Sequence, residues 1–472
     1  MSNEDFSTEE FGRAFQRFLD WLPTVAGSET HIRARLREHF ATDPSVLPTA
    51  SLDVPEYDRP NLQVALDGYL SAEGRSAELL GLAAASPYME LSMAQLVARG
   101  RGPGSLEPGP VGRTVVDLDE GRSLTCVTQG LFLVRDGERR IAVLVARQRY
   151  PAQTPVVEAM APSLEFCEGF ISELRGLMVE LNVYRGKVIS LSQVGGPMGH
   201  QIVVTFNPRR RVGRDMIVLP DSLLERVERS TIEFDRHREA LQAQGRHLRR
   251  GLLLHGPPGT GKTLTATFLA DALAERTVLV LTGPALALIQ ASCRMARELQ
   301  PSMVVLEDID LIAQERTQMS AAATSLLFQL LNEIDGIGED ADVIFLMTTN
   351  RADLLEAALA ARPGRVDQAV ELPLPDGEGR AALIELFCRG LSVELSEGAR
   401  LVEETEGASP AFLRELVRKA AAYATAAGEE TVRDEHFRAG LRELEEGGRL
   451  TRSILGAGGD GAPASPAATG FP

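Results

Sequence analysis

The chain has 472 residues, of which 44% are hydrophobic and 24% are charged, and its formal net charge is −17. Such a length predicts two or three domains, and the composition is typical of a globular protein. The negative charge argues against non-specific binding to nucleic acid or to an anionic membrane as the main activity, because both surfaces repel it.

Residues 1–212 predict two successive regions. Residues 1–105 show helical spacing interrupted by proline and glycine, which indicates a helical N-terminal region. From residue 106 the pattern changes to strands, with Asp136-Gly137 predicted as a hairpin turn and 163–181 as a helix. Residues 106–212 are therefore expected to form a compact α+β module.

An arginine cluster follows the strands of this module, and it comprises Arg209, Arg210, Arg211 and Arg214. One interpretation is a contact with phosphate or with a partner. The other is a solvated hinge between two domains, and we favour it because runs of like charge are weak functional signals.

Residues 213–450 predict two further regions. Strand and helix patterns alternate over 213–375, which indicates a sheet with helices on both faces. Residues 376–450 are predicted to be helical only, and Ser409-Pro410 has the composition of a helix N-terminus. The tail, residues 451–472, is rich in glycine, alanine and proline and is predicted to be disordered.

The segment LLLHGPPGTGKT at 252–263 matches the phosphate-loop pattern G-x-x-x-x-G-K-[ST]. It follows an apolar strand and opens a helix, a context that argues against a chance glycine-rich turn. Lys262 is expected to reach the β- and γ-phosphates of ATP, and Thr263 to bind Mg²⁺. Glycines let backbone N–H groups approach the phosphates closely. The predicted nucleotide-binding residues here are Gly256, Pro257, Pro258, Gly259, Thr260, Gly261, Lys262, Thr263 and Leu264.

The segment MVVLEDIDLI at 303–312 is predicted to be a second apolar strand that ends in the acids Glu307, Asp308 and Asp310. A parallel strand at this place would bring its carboxyl end to the bound Mg²⁺. By position, Glu307 is expected to hold the metal, partly through water, and Asp308 to accept a proton from the attacking water. Asp310 is expected to be structural.

Through these motifs the chain resembles the AAA family of ATPases, from Asp215 to near Glu446. The resemblance implies an α/β P-loop domain with a parallel sheet and a C-terminal α-helical lid. In the family the two acids usually come as Asp then Glu, and here they are reversed. The reversed order resembles a branch of the family whose mitochondrial member moves a folded iron–sulfur subunit, so we interpret the site as active.

The resemblance assigns roles to further residues. Asn350 ends an apolar strand like the sensor-1 strand of the family and is expected to contact the γ-phosphate or the attacking water. Arg362 and Arg365 match the arginine fingers, which reach the neighbouring subunit and imply a hexameric ring. Gly407 and Ala408 occupy the sensor-2 position, where only nucleotide packing is expected.

The chain departs from relatives that thread polypeptides, which carry an aromatic loop after the second strand. Residues 277–299 contain no aromatic residue. The sequence therefore predicts ATP-driven remodelling or movement of a protein partner, bound through residues 1–210, without aromatic-loop threading.

Two other functions stay open. One is a nucleotide-dependent switch or scaffold that hydrolyses ATP slowly or not at all, and the reversed acids are its support. The other is a DNA-directed motor, although the acidic charge makes a nucleic-acid partner a poor match.

The expected compartment follows from the cysteines and from the apolar runs. The four cysteines form no CxxC pair and no metal-ligand spacing with histidine, which favours a reducing compartment. The first ten residues are acidic and polar, so we expect no secretory signal there. The longest apolar runs, such as 141–146, are too short to span a bilayer. We therefore expect a cytoplasmic protein without a membrane span.

Overall fold

A computed structural model describes seven stretches and five single residues of the chain: 30–84, 91–98, 106–147, 154–196, 199–310, 341–353 and 366–446, with residues 17, 332, 333, 336 and 338. Two compact units divide the chain, the first with residues 1–185 and 192–206, the second with 186–191 and 207–472. In these stretches no helix combines the length and the apolar character that a membrane crossing requires. The predicted tail, 451–472, lies outside the described residues.

The first unit is built around an antiparallel sheet with the strand order β1-β8-β7-β6-β2, and β5 also pairs with β6. Its strands are β1 (Thr49–Asp53), β2 (Arg75–Leu80), β3 (Leu82–Ala84), β4 (Leu106–Pro108), β5 (Gly112–Asp117), β6 (Ser123–Asp136), β7 (Arg139–Arg147) and β8 (Pro155–Met160). Its helices are α1 (His31–Phe40), α2 (Arg59–Leu70), α3 (Met93–Val97) and α4 (Leu164–Glu180).

Helices cover both faces of this sheet, and β6 contributes to a core on each face because its successive side chains point to opposite faces. Phe132 and Val134 of β6 belong to the core that contains Tyr69 of α2 and Phe170 of α4. The alternate residues Leu131 and Leu133 belong to a second core with the apolar residues of α1 and α3. The predicted hairpin turn is present between β6 and β7, where Gly137 has a positive φ of 59°.

The N-terminal region differs from the all-helical prediction for residues 1–105. Strand β1 pairs with β8, and β2 pairs with β6, so this region contributes two strands to the sheet of the following segment. The β2 sequence RSAELL has no strong strand pattern. Its extended conformation depends on its partner strand, which local sequence does not show.

Strands β9 (Val188–Gly196) and β10 (Gly199–Asn207) follow α4 and pair with each other. The start of β9 belongs to the second unit, where Val188–Ser190 pair with β12 in parallel. Residues 192–206 belong to the first unit.

The second unit contains a parallel sheet with the order β9-β12-β13-β14-β11-β15. The new strands are β11 (Arg250–His255), β12 (Thr277–Thr282), β13 (Ser302–Glu307), β14 (Val343–Thr349) and β15 (Gln368–Glu371). The helices are α5 (Asp221–Glu228), α6 (Phe234–Arg236), α7 (Arg238–Ala243), α8 (Lys262–Ala272) and α9 (Ile289–Glu298). Buried residues of α5 and α8 pack on the sheet in one core. The alternating pattern of the sequence therefore predicted this α/β fold correctly.

Residues 376–446 form the lid, with helices α10 (Gly377–Cys388), α11 (Gly398–Glu404), α12 (Pro410–Ala426) and α13 (Asp434–Glu446). A short parallel pair, β16 (Ser392–Glu394) and β17 (Thr431–Arg433), was not expected. Ser409 caps α12, since its hydroxyl accepts a hydrogen bond of 3.2 Å from the Phe412 backbone N–H. The apolar face of α12 forms the lid core with Phe437 and Leu441 of α13.

A fully buried arginine, Arg276, joins three segments of the second unit. Its guanidinium lies 2.7 Å from an oxygen of Asp235 and 2.5 Å from one of Asp342. It also donates to the backbone oxygen of Ser302 at 3.0 Å. In the arginine cluster, Arg209 donates to backbone oxygens of Gly186, Ala270 and Arg276, which gives this member of the cluster a structural role.

Candidate nucleotide site

The parallel sheet brings three chain segments to one edge. Strands β11, β13 and β14 are neighbours in the sheet, so the residues that follow their carboxyl ends meet there. These residues are the phosphate loop after β11, the acids at the end of β13, and Asn350 after β14. The topology thus assembles most of the predicted site from residues far apart in sequence.

The phosphate loop has a backbone that requires glycine. Gly256, Gly259 and Gly261 have positive φ values of 143°, 77° and 96°. A Cβ atom on Gly256 would lie 2.3 Å from the backbone oxygen of Leu372, a distance that no side chain tolerates. Helix α8 begins directly after the loop, at Lys262, so its amino end faces the loop.

Lys262 is a buried cation, with 6% of its surface exposed. Its Nζ donates hydrogen bonds to the backbone oxygens of Gly256 at 2.9 Å and Pro257 at 2.8 Å. Burial lowers the pKa of Lys262 to about 8, although the charges of Asp308 and Asp310 act in the opposite direction. A buried ammonium bonded to neutral carbonyls fits an anionic phosphate ligand, which would offset its desolvation.

Glu307 and Thr263 form the candidate metal-binding pair. Burial raises the pKa of Glu307, and a hydrogen bond from the Thr263 hydroxyl to its carboxylate opposes that increase. This bond joins Thr263, at the start of α8, to Glu307, at the end of β13. A carboxylate and a hydroxyl are oxygen donors of the kind Mg²⁺ prefers, so these residues fit the ion.

Asp308 is held in an unusual backbone conformation beside Asn350. Its φ is 51°, in the left-handed region that aspartate adopts more readily than most residues. Its N–H donates to Thr348 Oγ1 at 3.0 Å, and its Oδ1 accepts from Asn350 Nδ2 at 3.2 Å. The structure therefore brings the predicted base and the predicted sensor residue into contact.

Asp310 has the structural role that the sequence suggested. It is buried, with 3% of its surface exposed. Its Oδ1 accepts from Thr349 Oγ1 at 2.9 Å and from the Asn350 N–H at 3.1 Å. Asp310 thereby fixes the end of β14 relative to the end of β13.

The lid contacts the phosphate loop. The N–H of Ala411, in the first turn of α12, donates to the backbone oxygen of Gly259 at 3.2 Å. Gly407 has a positive φ of 71°, and the side chain of Ala408 is buried in the lid core. Contact between Ala408 and a nucleotide would therefore involve its backbone. The predicted arginine fingers, Arg362 and Arg365, lie outside the described residues.

Sequence reasoning did not identify Thr348 and Ala411 as parts of this site. Thr348 precedes the sensor asparagine in the TTN triplet, and this position on a strand that ends at the site is the signal that could have identified it. Ala411 acts through its backbone N–H, so its side chain gives no signal.

The segment that replaces the aromatic loop of threading relatives does not present its large apolar residues. Residues Gly283–Leu288 form a short 3-10 helix that leads into α9. Leu286 and Leu288 are both buried, with 2% and 8% of their surfaces exposed. Both leucines are therefore packing residues.

Known proteins match the chain over this region. The family model for the ATPase family associated with various cellular activities (AAA) matches residues 252–374. A proteasome-activating nucleotidase from Methanosphaerula palustris is 32% identical over 219 residues, covering 44% of this chain and 53% of the relative. The 26S proteasome regulatory subunit S10B homolog B of Arabidopsis thaliana is 34% identical over 218 residues, covering 43% and 54%.

A third relative is the ATP-dependent zinc metalloprotease FtsH 1 of Symbiobacterium thermophilum, 33% identical over 278 residues, which cover 54% of this chain and 46% of the relative. The chain spans about half the length of the curated relatives it matches. The family match covers the phosphate loop, both acids and Asn350. Residues 252–374 of this chain therefore form a domain of the AAA family of ATPases.

Proposed function

We propose that the protein hydrolyses ATP with Mg²⁺ in a ring of identical subunits, and that hydrolysis drives the remodelling or movement of a protein partner. The observation that carries the proposal is the convergence of a buried Lys262, the Glu307–Thr263 pair and the Asp308–Asn350 pair at one edge of a parallel sheet. This arrangement provides a group for each requirement of phosphoryl transfer to water.

Each residue has a distinct part in the proposed reaction. The backbone N–H groups of the phosphate loop and the Lys262 ammonium bind the phosphates and stabilise the charge that develops on them. Asp308 accepts a proton from the attacking water, and Asn350 orients Asp308 or the water. Thr263 and Glu307 would hold Mg²⁺, which when bound neutralises charge on the phosphate oxygens.

The reversed order of the acids is compatible with hydrolysis in this proposal. Aspartate is one methylene shorter than glutamate, so the direction of its side chain has to be well defined. The bond to Asn350 and the backbone bond to Thr348 together restrain Asp308. Positioning contributes a large part of the rate in phosphoryl transfer, which supports an active site.

The proposed ring is supported by the resemblance to the AAA family, and the proposed protein client is supported by the named relatives. Arginine fingers at Arg362 and Arg365 would act on the neighbouring subunit, which requires a closed head-to-tail ring, a hexamer in the family. Two of the relatives are named for proteasome activation or regulation, which supports a protein as the partner. Residues 1–210 are the proposed client-binding region.

The proposed mechanism does not use conventional threading, because Leu286 and Leu288 are buried. The test is ATP-dependent unfolding of a generic tagged substrate by the full chain. We expect little unfolding by the wild-type protein. Strong unfolding that is abolished by a change at either leucine, without loss of protein stability, would contradict this part of the proposal.

Cytoplasmic localisation is part of the proposal. The four cysteines Cys126, Cys167, Cys293 and Cys388 are all free thiols. Burial, which is only partial for Cys388, raises the pKa of each of these thiols and so lowers their reactivity. Unpaired cysteines suit a reducing compartment.

A nucleotide-dependent switch is the second candidate, favoured by the reversed acids. A steady-state ATPase assay on wild type, Lys262→Ala and Asp308→Asn separates the two functions. The proposed enzyme requires wild type to be much faster than both variants, whereas equal rates for wild type and Asp308→Asn would favour the switch. Stimulation of the rate by DNA at physiological salt would instead support a DNA-directed motor.

The client can be identified with the same variant. Asp308→Asn is expected to bind ATP without hydrolysing it, and so to hold a client that the ATP state favours. Affinity capture with Asp308→Asn, followed by mass spectrometry, should enrich a specific protein. Capture with Lys262→Ala is the matched control, since that variant is expected to lose the nucleotide.

A further inference from the structure

The ribbon formed by β9 and β10 has an unusual composition. Residues 188–207 include no Asp, Glu, Lys or Arg, although these four residue types make up 24% of the chain. The neutral ribbon is defined here as residues 192–196 of β9 and 199–207 of β10. Its uncharged surface needs a physical reason, because exposed strands normally carry charge.

Both long edges of the neutral ribbon are unpaired in the stretches that the structure describes. Strand β12 pairs with β9 only at Val188–Ser190, which leaves the outer edge of residues 192–196 without a strand. Strand β10 is the last strand in its sheet order and pairs only with β9. Each edge therefore presents backbone N–H and C=O groups that can pair with another strand.

Apolar side chains on the neutral ribbon are exposed to solvent. Val194 is 54% exposed and Val203 is 39% exposed. Gln201 and Thr205, which share a face of β10 with Val203, are also exposed. An exposed, uncharged edge with β-branched residues is a template for strand addition.

The other edge strands of the two main sheets are protected by charge. The charged residues on them are Asp53 of β1, Arg75 and Glu78 of β2, Arg113 and Asp117 of β5, and Glu371 of β15. Such charges oppose pairing with a foreign strand. Among these edge strands, only those of the neutral ribbon lack charged residues that would oppose strand pairing. This difference points to a partner that pairs with the neutral ribbon.

We propose that the partner is the neutral ribbon of the next subunit, so that the free edge of β10 pairs with the free edge of residues 192–196 in a second copy. In a ring with rotational symmetry, every β10 runs in one direction along the ring axis and every β9 runs in the opposite direction. The new pairing between β10 and β9 is therefore antiparallel. The contact is heterologous and closes with the ring, leaving no edge exposed. The inference rests on the ring of the proposed function.

A second copy explains the composition better than a client strand does. Copies with a net charge of −17 repel one another, and a neutral surface removes the repulsion at the point of contact. A client strand would cover one edge and leave the other exposed. Pairing between copies satisfies both edges of every subunit.

Cysteine cross-linking tests the contact directly in the full-length protein. One preparation carries Val194→Cys, and three others carry Gln201→Cys, Val203→Cys or Thr205→Cys. The three positions on β10 sample different registers of its pairing with β9 of the next copy. All carry Cys388→Ser, which removes the one native cysteine that is not buried. The two kinds of subunit are mixed, assembled with Mg-ATP and oxidised. A disulfide-linked dimer is expected in at least one mixture.

The matched control for cross-linking is Val115→Cys, on the charged edge strand β5, where Val115 is 64% exposed. Mixing it with Val194→Cys should give no dimer. A dimer from Val194→Cys alone would indicate pairing of identical edges and would overturn the head-to-tail arrangement.

Charge insertion gives an independent test. Val203→Lys should raise the protein concentration needed for half-assembly by roughly tenfold, since a lysine on an edge strand opposes pairing with another strand. Val115→Lys should leave assembly unchanged. Circular dichroism and ATP binding establish that Val203→Lys is folded.

The mass of the wild-type protein in Mg-ATP separates two kinds of failure. If wild type assembles, but no cross-link forms or Val203→Lys assembles equally well, the inference about the neutral ribbon is wrong and the ring remains. If wild type stays monomeric at all concentrations, the ring itself is contradicted, and the inference fails with it.

Discussion

The side-chain amide of Asn350 donates a hydrogen bond of 3.2 Å to Asp308 Oδ1, although 42 positions separate the two residues in the chain. Parallel pairing of β13 with β14 brings them together. The backbone N–H of Asn350 is at the same time bonded to Asp310. A buried carboxylate thus holds the backbone of the sensor residue, and the sensor residue restrains the proposed base.

Replacement of Asn350 by alanine should lower the kcat of ATP hydrolysis by about 100-fold, because one oriented donor at the reacting centre is lost. The Kd for ATP should change little, since the phosphate loop remains intact. The measurement is steady-state hydrolysis together with equilibrium ATP binding. Asp353→Asn, which changes an exposed ion pair nearby, is the control and should behave like wild type.

Thr348 is predicted to be a positioning residue. Its Oγ1 accepts the N–H of Asp308, and its side chain is buried. Thr348→Val keeps the shape but leaves that N–H without its acceptor, at a cost of about 1–3 kcal/mol. We expect a lower kcat with an unchanged Kd for ATP.

Thr348→Ser is the matched control, because it keeps the hydroxyl and should retain most of the wild-type kcat. A valine variant with wild-type kcat would show that the bond to Asp308 has no role in hydrolysis. Equal losses in both variants would indicate a packing role instead.

The affinity for ATP should depend on pH through Lys262. Its pKa in the free protein is about 8, and bound phosphates favour the ammonium form, so the pKa is higher in the complex. Affinity should therefore be constant below about pH 8 and fall above it, by up to about tenfold per pH unit. The measurement is binding of a fluorescent ATP analogue from about pH 7 to about pH 9.

Lys262→Ala is the control for this titration. Its weak binding should show no decline above pH 8 of the kind expected for wild type. A wild-type affinity that stays constant over the whole range would contradict a role for the Lys262 charge in binding.

The site could be predicted from sequence where its residues are adjacent in the chain. The phosphate loop and the acids at 307–308 stand in continuous motifs, and their positions after apolar strands indicated one edge of a sheet. The position of Thr348 in the TTN triplet places it at the site, but its contact with Asp308 depends on strand order, which the motif does not show. The catalytic roles themselves stay predictions.

Parts of the fold depended on contacts that local sequence does not reveal. The residues of β2 were expected within a helical region, and pairing with β6 makes them extended. Arg276 carries no motif, yet it is fully buried and forms ion pairs with two aspartates. Helix α12, by contrast, could be predicted, because its cap and its apolar face are formed by residues of one continuous segment.

Arg276 is predicted to be essential for stability. Arg276→Met would leave Asp235 and Asp342 without their shared cation, and breaking a buried ion pair costs about 3–5 kcal/mol. The free energy of unfolding in urea is the measurement. Adding Asp235→Asn and Asp342→Asn to the variant should recover part of the loss.

Arg351→Met is the matched control, because Arg351 forms an exposed ion pair with Asp353. Its effect on the free energy of unfolding should be below about 1 kcal/mol. If Arg276→Met were equally mild, the Arg276 network would not be a main support of the second unit.

The most direct test of the account is a single-turnover measurement that separates ATP binding from its chemistry in Asp308→Asn. The variant should retain ATP with Mg²⁺ at close to wild-type affinity and convert it to ADP at least about 100-fold more slowly, because it lacks the base. Conversion at the wild-type rate would contradict the assignment of Asp308. Failure of the wild-type protein to retain Mg-ATP at all would contradict the nucleotide site itself.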